Sequence, residues 1–133
     1  MGESRRPASL DDYFAGQPQA ARLHRAVARE IAHLPGEVET IVQRSQVGFY
    51  VDGHSFAATW MPRHYLGRGA PLVLTVFSRR PLASPRWKEV VQAAAGHYTH
   101  HLELWDPGEV DDELRAMLED AYRQAQDEGP GPT

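Results

Sequence analysis

Residues 46–60, QVGFYVDGHSFAATW, decide the fold because they combine alternating strand-forming residues with a strong two-residue turn signal. Asp52 and Gly53 tolerate the positive φ angles that a type I′ hairpin loop requires. The register predicted from this turn places three pairs of side chains opposite each other: Val51 and His54, Phe49 and Phe56, Val47 and Ala58. These six side chains are predicted to face the core, while the alternate set, which includes Tyr50, faces an open side of the sheet.

Three flanking segments extend the hairpin into a larger sheet. Residues 38–45 are predicted to form a strand, and residues 71–78 are apolar on both faces, as in a central strand. Residues 98–105, YTHHLELW, alternate as a strand does. Between these last two segments, residues 84–96 begin with Ser-Pro and end with glycine, which predicts a helix over part of the segment.

Two amphipathic helices complete the prediction. Residues 18–34 repeat apolar positions at three- and four-residue spacing and end at Pro-Gly, and a last helix opens at Asp106 or Gly108. The sequence therefore predicts an α+β fold, a single domain with an antiparallel-rich sheet of about five strands and helices packed on one face. The domain is predicted to span residues 9–126, between disordered ends at residues 1–8 and 127–133 that are polar and rich in Pro and Gly.

Composition excludes several chemistries. The 133 residues contain no cysteine, which rules out disulfides, thiolate metal ligands and cysteine nucleophiles and favours a reducing, cytoplasmic location. No signal peptide and no apolar run of membrane-spanning length occurs, so we expect a soluble protein without a membrane partner. The net charge is -4, and nine of the 18 acidic residues follow Trp105, where they are predicted to form the solvated face of the last helix.

The stretch GHYTHHLELWD, residues 96–106, contains three of the seven histidines. On a helix, His97 and His101 would share one face and could bind a metal ion. On a strand they lie roughly 13 Å apart, at ~3.3 Å per residue, which is too far for one ion. Because Gly96 favours the strand, we expect a protein without a metal or other cofactor.

Four segments together resemble a known family. They are YFAGQP at residues 13–18, the hairpin with Phe49 and Phe56, THHLEL at residues 99–104 and VDDELRAMLEDAY at residues 110–122. Their order resembles a bacterial family labelled as a domain of unknown function, the DUF5655 type, whose members are sometimes called predicted transport protein. The resemblance extends from about Leu10 to Ala125 and implies a compact soluble α+β module with no assigned catalytic residues.

The same resemblance places His100, Asp111 and Tyr122 at motif positions, but not His97 or His101. The sequence offers no membrane segment in support of a transport role.

Strand alternation separates the two central histidines. His100 shares a face with the core residues, which favours a buried imidazole that is hydrogen-bonded to the backbone or to a carboxylate such as Asp111. His101 and Glu103 share the other face. A small-molecule enzyme that uses His100 with Asp111, or His101 with Glu103, is one alternative function.

The favoured prediction is a non-catalytic binding or interaction module in which the open sheet face, or a cleft beside it, takes an unknown ligand or protein partner. Its candidate binding residues are Arg44, Tyr50, Trp60, His101 and Trp105. A single-stranded nucleic acid is an alternative partner, because basic and aromatic residues alternate between residues 44 and 88, although the acidic C-terminal segment would repel phosphates. A third alternative is a homodimer in which a second copy covers the sheet face.

Overall fold

The computed structural model describes residues 9–127. Its helices and strands follow the chain in this order: α1 (Leu10–Tyr13), α2 (Pro18–Ile31), β1 (Glu39–Val42), β2 (Val47–Val51), β3 (His54–Trp60), α3 (Pro62–Leu66), β4 (Leu72–Ser78), β5 (Glu89–Ala94), β6 (His97–Leu104) and α4 (Asp112–Asp127). The predicted disordered ends are residues 1–8 and 127–133. Residues 1–8 and 128–133 lie outside the described residues, whereas Asp127 belongs to α4.

All six strands form one antiparallel sheet in the order β1-β2-β3-β4-β6-β5. Both long helices, α2 and α4, pack on the same face of this sheet. We call this side the helix face, and it includes Thr59, Leu74, Leu102 and His100. The opposite side, which includes Trp60, Val73, Thr75, His101 and Glu103, is the open face. The predicted single α+β domain is thus confirmed, with six strands.

The predicted hairpin turn is confirmed, but the register beyond it is not. Asp52 and Gly53 have φ angles of 50° and 80°, and Val51 faces His54. A β-bulge then shifts the register by one residue, so that Phe49 faces Ala57 and Val47 faces Thr59. The predicted pairs of Phe49 with Phe56 and of Val47 with Ala58 are therefore wrong.

The bulge has a packing reason. It inserts one extra residue into β3. The ring of Phe56 then packs edge-on against Tyr122 of α4, with centroids 5.5 Å apart, while Phe49 stacks on His24 of α2 at 5.6 Å. Each phenylalanine is thereby buried against a different helix.

The helix predicted within residues 84–96 is wrong. Residues 89–94 form β5, which pairs with β6 through a turn at Gly96, whose φ angle is 70°. Ser84 accepts a hydrogen bond from the backbone N–H of Arg86 at 3.2 Å, so it stabilises a turn rather than a helix start. Cross-strand hydrogen bonding in β5 outweighs the helix propensity of its alanines.

Both predicted amphipathic helices form, but α4 begins at Asp112 rather than at Asp106 or Gly108, because Asp106 instead caps a short 3₁₀ turn, Pro107–Glu109. The apolar stripe of α2 buries Leu23, Val27 and Ile31, and α4 buries Leu114 and Leu118 in the same core. Within residues 9–127, none of the helices has the length and apolar character needed to cross a membrane.

Candidate functional site

A cleft of about 470 Å³ lies on the open face. Two rows of cross-strand neighbours form its base: Trp60 beside Val73 and Glu103, and Thr75 beside His101 and Glu89. Val73 and Thr75 are buried, whereas Trp60, His101 and Glu103 are partly exposed. The strands therefore hold an aromatic ring, an imidazole and carboxylates around the apolar side chain of Val73.

The remaining wall comes from α3 and the loop that follows it. Pro62, Leu66, Arg68 and Gly69 line this side of the cleft. The left-handed φ angles of Gly67 and Gly69, 73° and 99°, fold the loop back, and Arg63 Nε donates to the carbonyl oxygen of Gly69 at 3.0 Å. The segment between β3 and β4 thus begins as a short helix and closes one side of the cleft.

Both charge signs are present at the cleft. Lys88 Nζ lies 3.2 Å from a carboxylate oxygen of Glu103, while Arg68 and Glu89 add one charge of each sign to the lining. Nδ1 of His101 lies 2.9 Å from Oγ1 of Thr75. Among the described residues, Nε2 of His101 has no hydrogen-bond partner, so this nitrogen can still bond a ligand.

The structure brings together two of the five predicted binding residues, Trp60 and His101, in this cleft. Tyr50 lies over Gly48 and lines a separate depression with residues 37–39. Trp105 follows β6 and lies under the guanidinium of Arg63, 5.5 Å from the ring centroid. Arg44 lies in the β1–β2 connection and does not line the cleft.

His100 is fully buried, and both of its ring nitrogens bond the backbone. Nε2 accepts from the N–H of Leu82 at 2.9 Å, which makes Nδ1 the donor to the carbonyl oxygen of Val76 at 3.1 Å. Burial lowers the pKa of His100; the Val76 hydrogen bond opposes this effect and His101 adds to it. The neutral ring of His100 therefore joins the segment after β4 to the sheet by a hydrogen bond.

The predicted pairing of His100 with Asp111 is not made. Asp111 Oδ1 instead accepts from the N–H of Leu114 at 3.1 Å, as a helix cap does, and from Nη1 of Arg86 at 2.7 Å. The Arg86 hydrogen bond is the main cause that lowers the pKa of Asp111. Glu103 lies two residues from His101 on the same face, but its carboxylate is paired with Lys88.

Several basic residues of the predicted nucleic-acid surface are paired with carboxylates. Arg80 binds Asp120 at 2.9 Å, Arg86 binds Asp111 and Glu113, and Lys88 binds Glu103. Such pairs reduce the positive charge available for phosphates.

No group of three or more His, Cys, Asp or Glu side chains that could hold a metal ion occurs within residues 9–127. His97 and His101 belong to one extended strand, β6.

Sequence reasoning missed several cleft residues, notably Leu66, Val73 and Glu89, and considered Arg68 and Lys88 only for the alternative nucleic-acid surface. Alternation along residues 71–78 could have assigned Val73 to the open face. The helix predicted within residues 84–96 includes Lys88 and Glu89, so the sequence did not indicate that they lie beside His101. No sequence signal places the α3 loop over the sheet.

The sequence profile of a family described as Domain of unknown function (DUF5655) matches residues 10–125. Comparisons with curated proteins and with solved structures give no match.

Proposed function

Because the chain belongs to the DUF5655 family, whose description assigns no activity, we propose its function from the open face: it is a non-catalytic binding module, and the open-face cleft takes a small organic ligand. The observation that carries this proposal is the convergence of Trp60, His101 and the Lys88–Glu103 pair around one cleft of about 470 Å³. That volume falls within the roughly 300–1,000 Å³ typical of small-molecule sites.

The lining favours a ligand with a flat apolar part and a charged or hydrogen-bonding group. The Trp60 indole offers a face for stacking, and Val73 and Leu66 add apolar surface. The Nε2 atom of His101 provides one hydrogen-bonding position. Since Arg68 and Lys88 oppose Glu89 and Glu103 in sign, either an anionic or a cationic group can find a counter-charge.

Binding is favoured over catalysis because each of the two predicted acid-base pairs has at least one member that is engaged elsewhere. An acid-base mechanism needs two titratable groups poised at the reacting bond. In this cleft the Glu103 carboxylate is paired with Lys88. The other candidate, His100, uses both of its nitrogens for backbone hydrogen bonds.

Benzoate and benzylamine are matched aromatic probes of opposite charge. In an NMR titration, we expect at least one of them to shift the indole N–H signal of Trp60 and the amide signal of His101 in a saturable way. The Trp60→Ala variant should lose these responses at His101. Trp105→Ala is the matched control, because Trp105 lies outside the cleft lining, and it should bind as the unaltered protein does.

Two results would reject the cleft as the binding site: neither probe shifts these signals, or Trp60→Ala and the unaltered protein respond equally. An enzyme that uses His101 with Glu103 would be favoured instead if the protein hydrolysed an ester of benzoate and Glu103→Gln abolished this hydrolysis. Salt-sensitive binding of a single-stranded oligonucleotide to the open face would favour the nucleic-acid alternative.

Self-association is a second candidate function, and the exposure of β5 favours it. All six residues of this edge strand are exposed, including Val90 and Val91. An exposed edge strand with few charges is a template for pairing with another strand, and a second copy of this chain offers the same edge in antiparallel orientation about a two-fold axis. Light scattering at rising concentration tests this, with Val91→Lys expected to keep the protein monomeric.

We also propose a cytoplasmic location, which the absence of cysteine supports because no disulfide is required for stability.

A further inference from the structure

A second cavity, of about 290 Å³, lies at the other end of β4 from the open-face cleft. We call it the end pocket. It is formed where β3 and β6 begin and β4 ends, and it is lined by His54, Ser55, Phe77, Arg79 and His97, with the C-terminal half of α4 completing the wall. None of its residues lines the open-face cleft.

Within residues 9–127, the side chains that line the end pocket include one arginine and two histidines but no carboxylate. Among the described residues, the side chains of Arg79 and His97 have no ion-pair or hydrogen-bond partner. The neighbouring Arg80, by contrast, is paired with Asp120. The unpaired guanidinium of Arg79 gives this cavity a positive charge, which attracts an anion.

Ser55 supplies an independent observation. Its Oγ atom is buried, yet it has no hydrogen-bond partner within the described part of the chain. Buried hydroxyl groups are nearly always hydrogen-bonded, and a hydroxyl can donate to an oxygen of an anion. The end pocket therefore combines positive charge with an unused donor.

The last turn of α4 disfavours the binding of an anion, because carbonyl groups at a helix C-terminus carry a partial negative charge of roughly half a unit. The full charge of Arg79 exceeds this. The nearest amide side chain, Gln124, is already engaged: its Oε1 accepts from the N–H of Arg79 at 2.6 Å, and its Nε2 donates to Asp120.

We infer that the end pocket binds the phosphate group of a small phosphorylated compound. Residues whose side chains carry donor groups line the pocket from three separate segments, β3, the end of β4 and the start of β6, which suits the several directions in which a tetrahedral oxyanion accepts hydrogen bonds. The ring of Phe77 and the remaining volume accommodate the organic part. This inference does not depend on the function of the open-face cleft.

An NMR titration at constant ionic strength, with inorganic phosphate and phenyl phosphate as the probes, tests the inference. We expect saturable shifts of the Ser55, Arg79 and His97 amide signals, with phenyl phosphate binding more tightly. Arg79→Gln should weaken binding about tenfold, since it removes a charge-assisted hydrogen bond. Arg22→Gln removes an equal charge from an exposed arginine of α2 and should bind phosphate normally.

Amide spectra of both variants establish that each is folded, and His97→Gln provides a second variant whose binding should also weaken. Shifts that rise linearly with phosphate, or that are equal in Arg79→Gln and Arg22→Gln, would overturn the site. Equal affinity for acetate would overturn its assignment to phosphate.

Discussion

The Nδ1 atom of His24 on α2 lies 2.8 Å from the Oγ1 atom of Thr59 on β3, and both residues are buried. The imidazole is packed between the rings of Phe14 and Phe49, and its Nε2 has no hydrogen-bond partner among the described residues. Burial, together with the charge of Arg25, lowers the pKa of His24 from 6.5 to about 4. The helix is therefore joined to the sheet by a histidine that is neutral at physiological pH.

This burial predicts that the protein loses stability in mild acid. The folded-state pKa of His24 lies below the unfolded value, so the unfolded chain binds more protons between pH 6.5 and about 4. The contribution of His24 to the free energy of unfolding should be fully present above pH 6.5 and should be lost as the pH decreases towards 4. His24 alone should account for about 3 kcal/mol of this loss. Urea denaturation at several pH values measures it.

The double variant His24→Leu/Thr59→Val separates this contribution from the rest, because it replaces both hydrogen-bonding partners with apolar groups. Its stability should depend less on pH across the same range. Some dependence should remain, since burial also lowers the pKa of His100. An unchanged dependence on pH would contradict the role assigned to His24.

Replacing His100 should damage the fold rather than the cleft. His100→Ala leaves the N–H of Leu82 without its partner and opens a cavity beside Trp87, whose ring centroid lies 5.0 Å from the imidazole. We expect a loss of about 3–5 kcal/mol in the free energy of unfolding. His101→Ala, on the opposite face, should cost less than about 1 kcal/mol. Denaturant titration of both variants compares them, and similar losses would contradict the buried role of His100.

The parts of the fold that depend on local signals were predictable. The Asp52–Gly53 turn and the two amphipathic helices follow from turn chemistry and apolar spacing. The bulge in β3 could not be predicted, because Phe56, Ala57 and Ala58 are all apolar and any register buries them. What selects the register is the contact of Phe56 with Tyr122, which lies 66 residues away in sequence and leaves no local signal.

The same limit applies to the candidate site. Alternation alone assigns His101 to the open face and His100 to the core, as the structure shows. It does not say that β3, β4 and β6 are neighbours, so the meeting of Trp60 with His101 could not be derived. The position of Lys88 in the cleft could not be predicted, because the alanine-rich segment after Ser-Pro has the local pattern of a helix but pairs as a strand.

Arg86 contacts the residues at the start of α4, and its replacement by lysine should lower the stability of the protein. Its Nη1 atom lies 2.7 Å from Asp111 and 3.2 Å from Glu113, and its Nη2 atom donates to the carbonyl oxygen of Glu109. A lysine has no planar fork with which to make these bonds together, so Arg86→Lys should cost about 1–2 kcal/mol.

Thermal denaturation of Arg86→Lys should be compared with that of Arg80→Lys. Arg80 is exposed, and within the described part of the chain its side chain binds Asp120 alone, so its replacement should change the free energy of unfolding by less than about 1 kcal/mol. Equal melting temperatures for the two variants would mean that the three contacts of Arg86 add nothing to stability.

The turn at Asp52 and Gly53 should depend on backbone conformation rather than on packing. Gly53 has a φ angle of 80°, and a Cβ atom added there would meet nothing within 4 Å. Gly53→Ala should therefore cost about 1–2 kcal/mol through strain alone. Asp52→Asn should be nearly neutral, because asparagine tolerates the φ angle of 50° found at that position. If urea denaturation found Gly53→Ala as stable as Asp52→Asn, the left-handed turn that sets the start of the β2–β3 register would be in doubt.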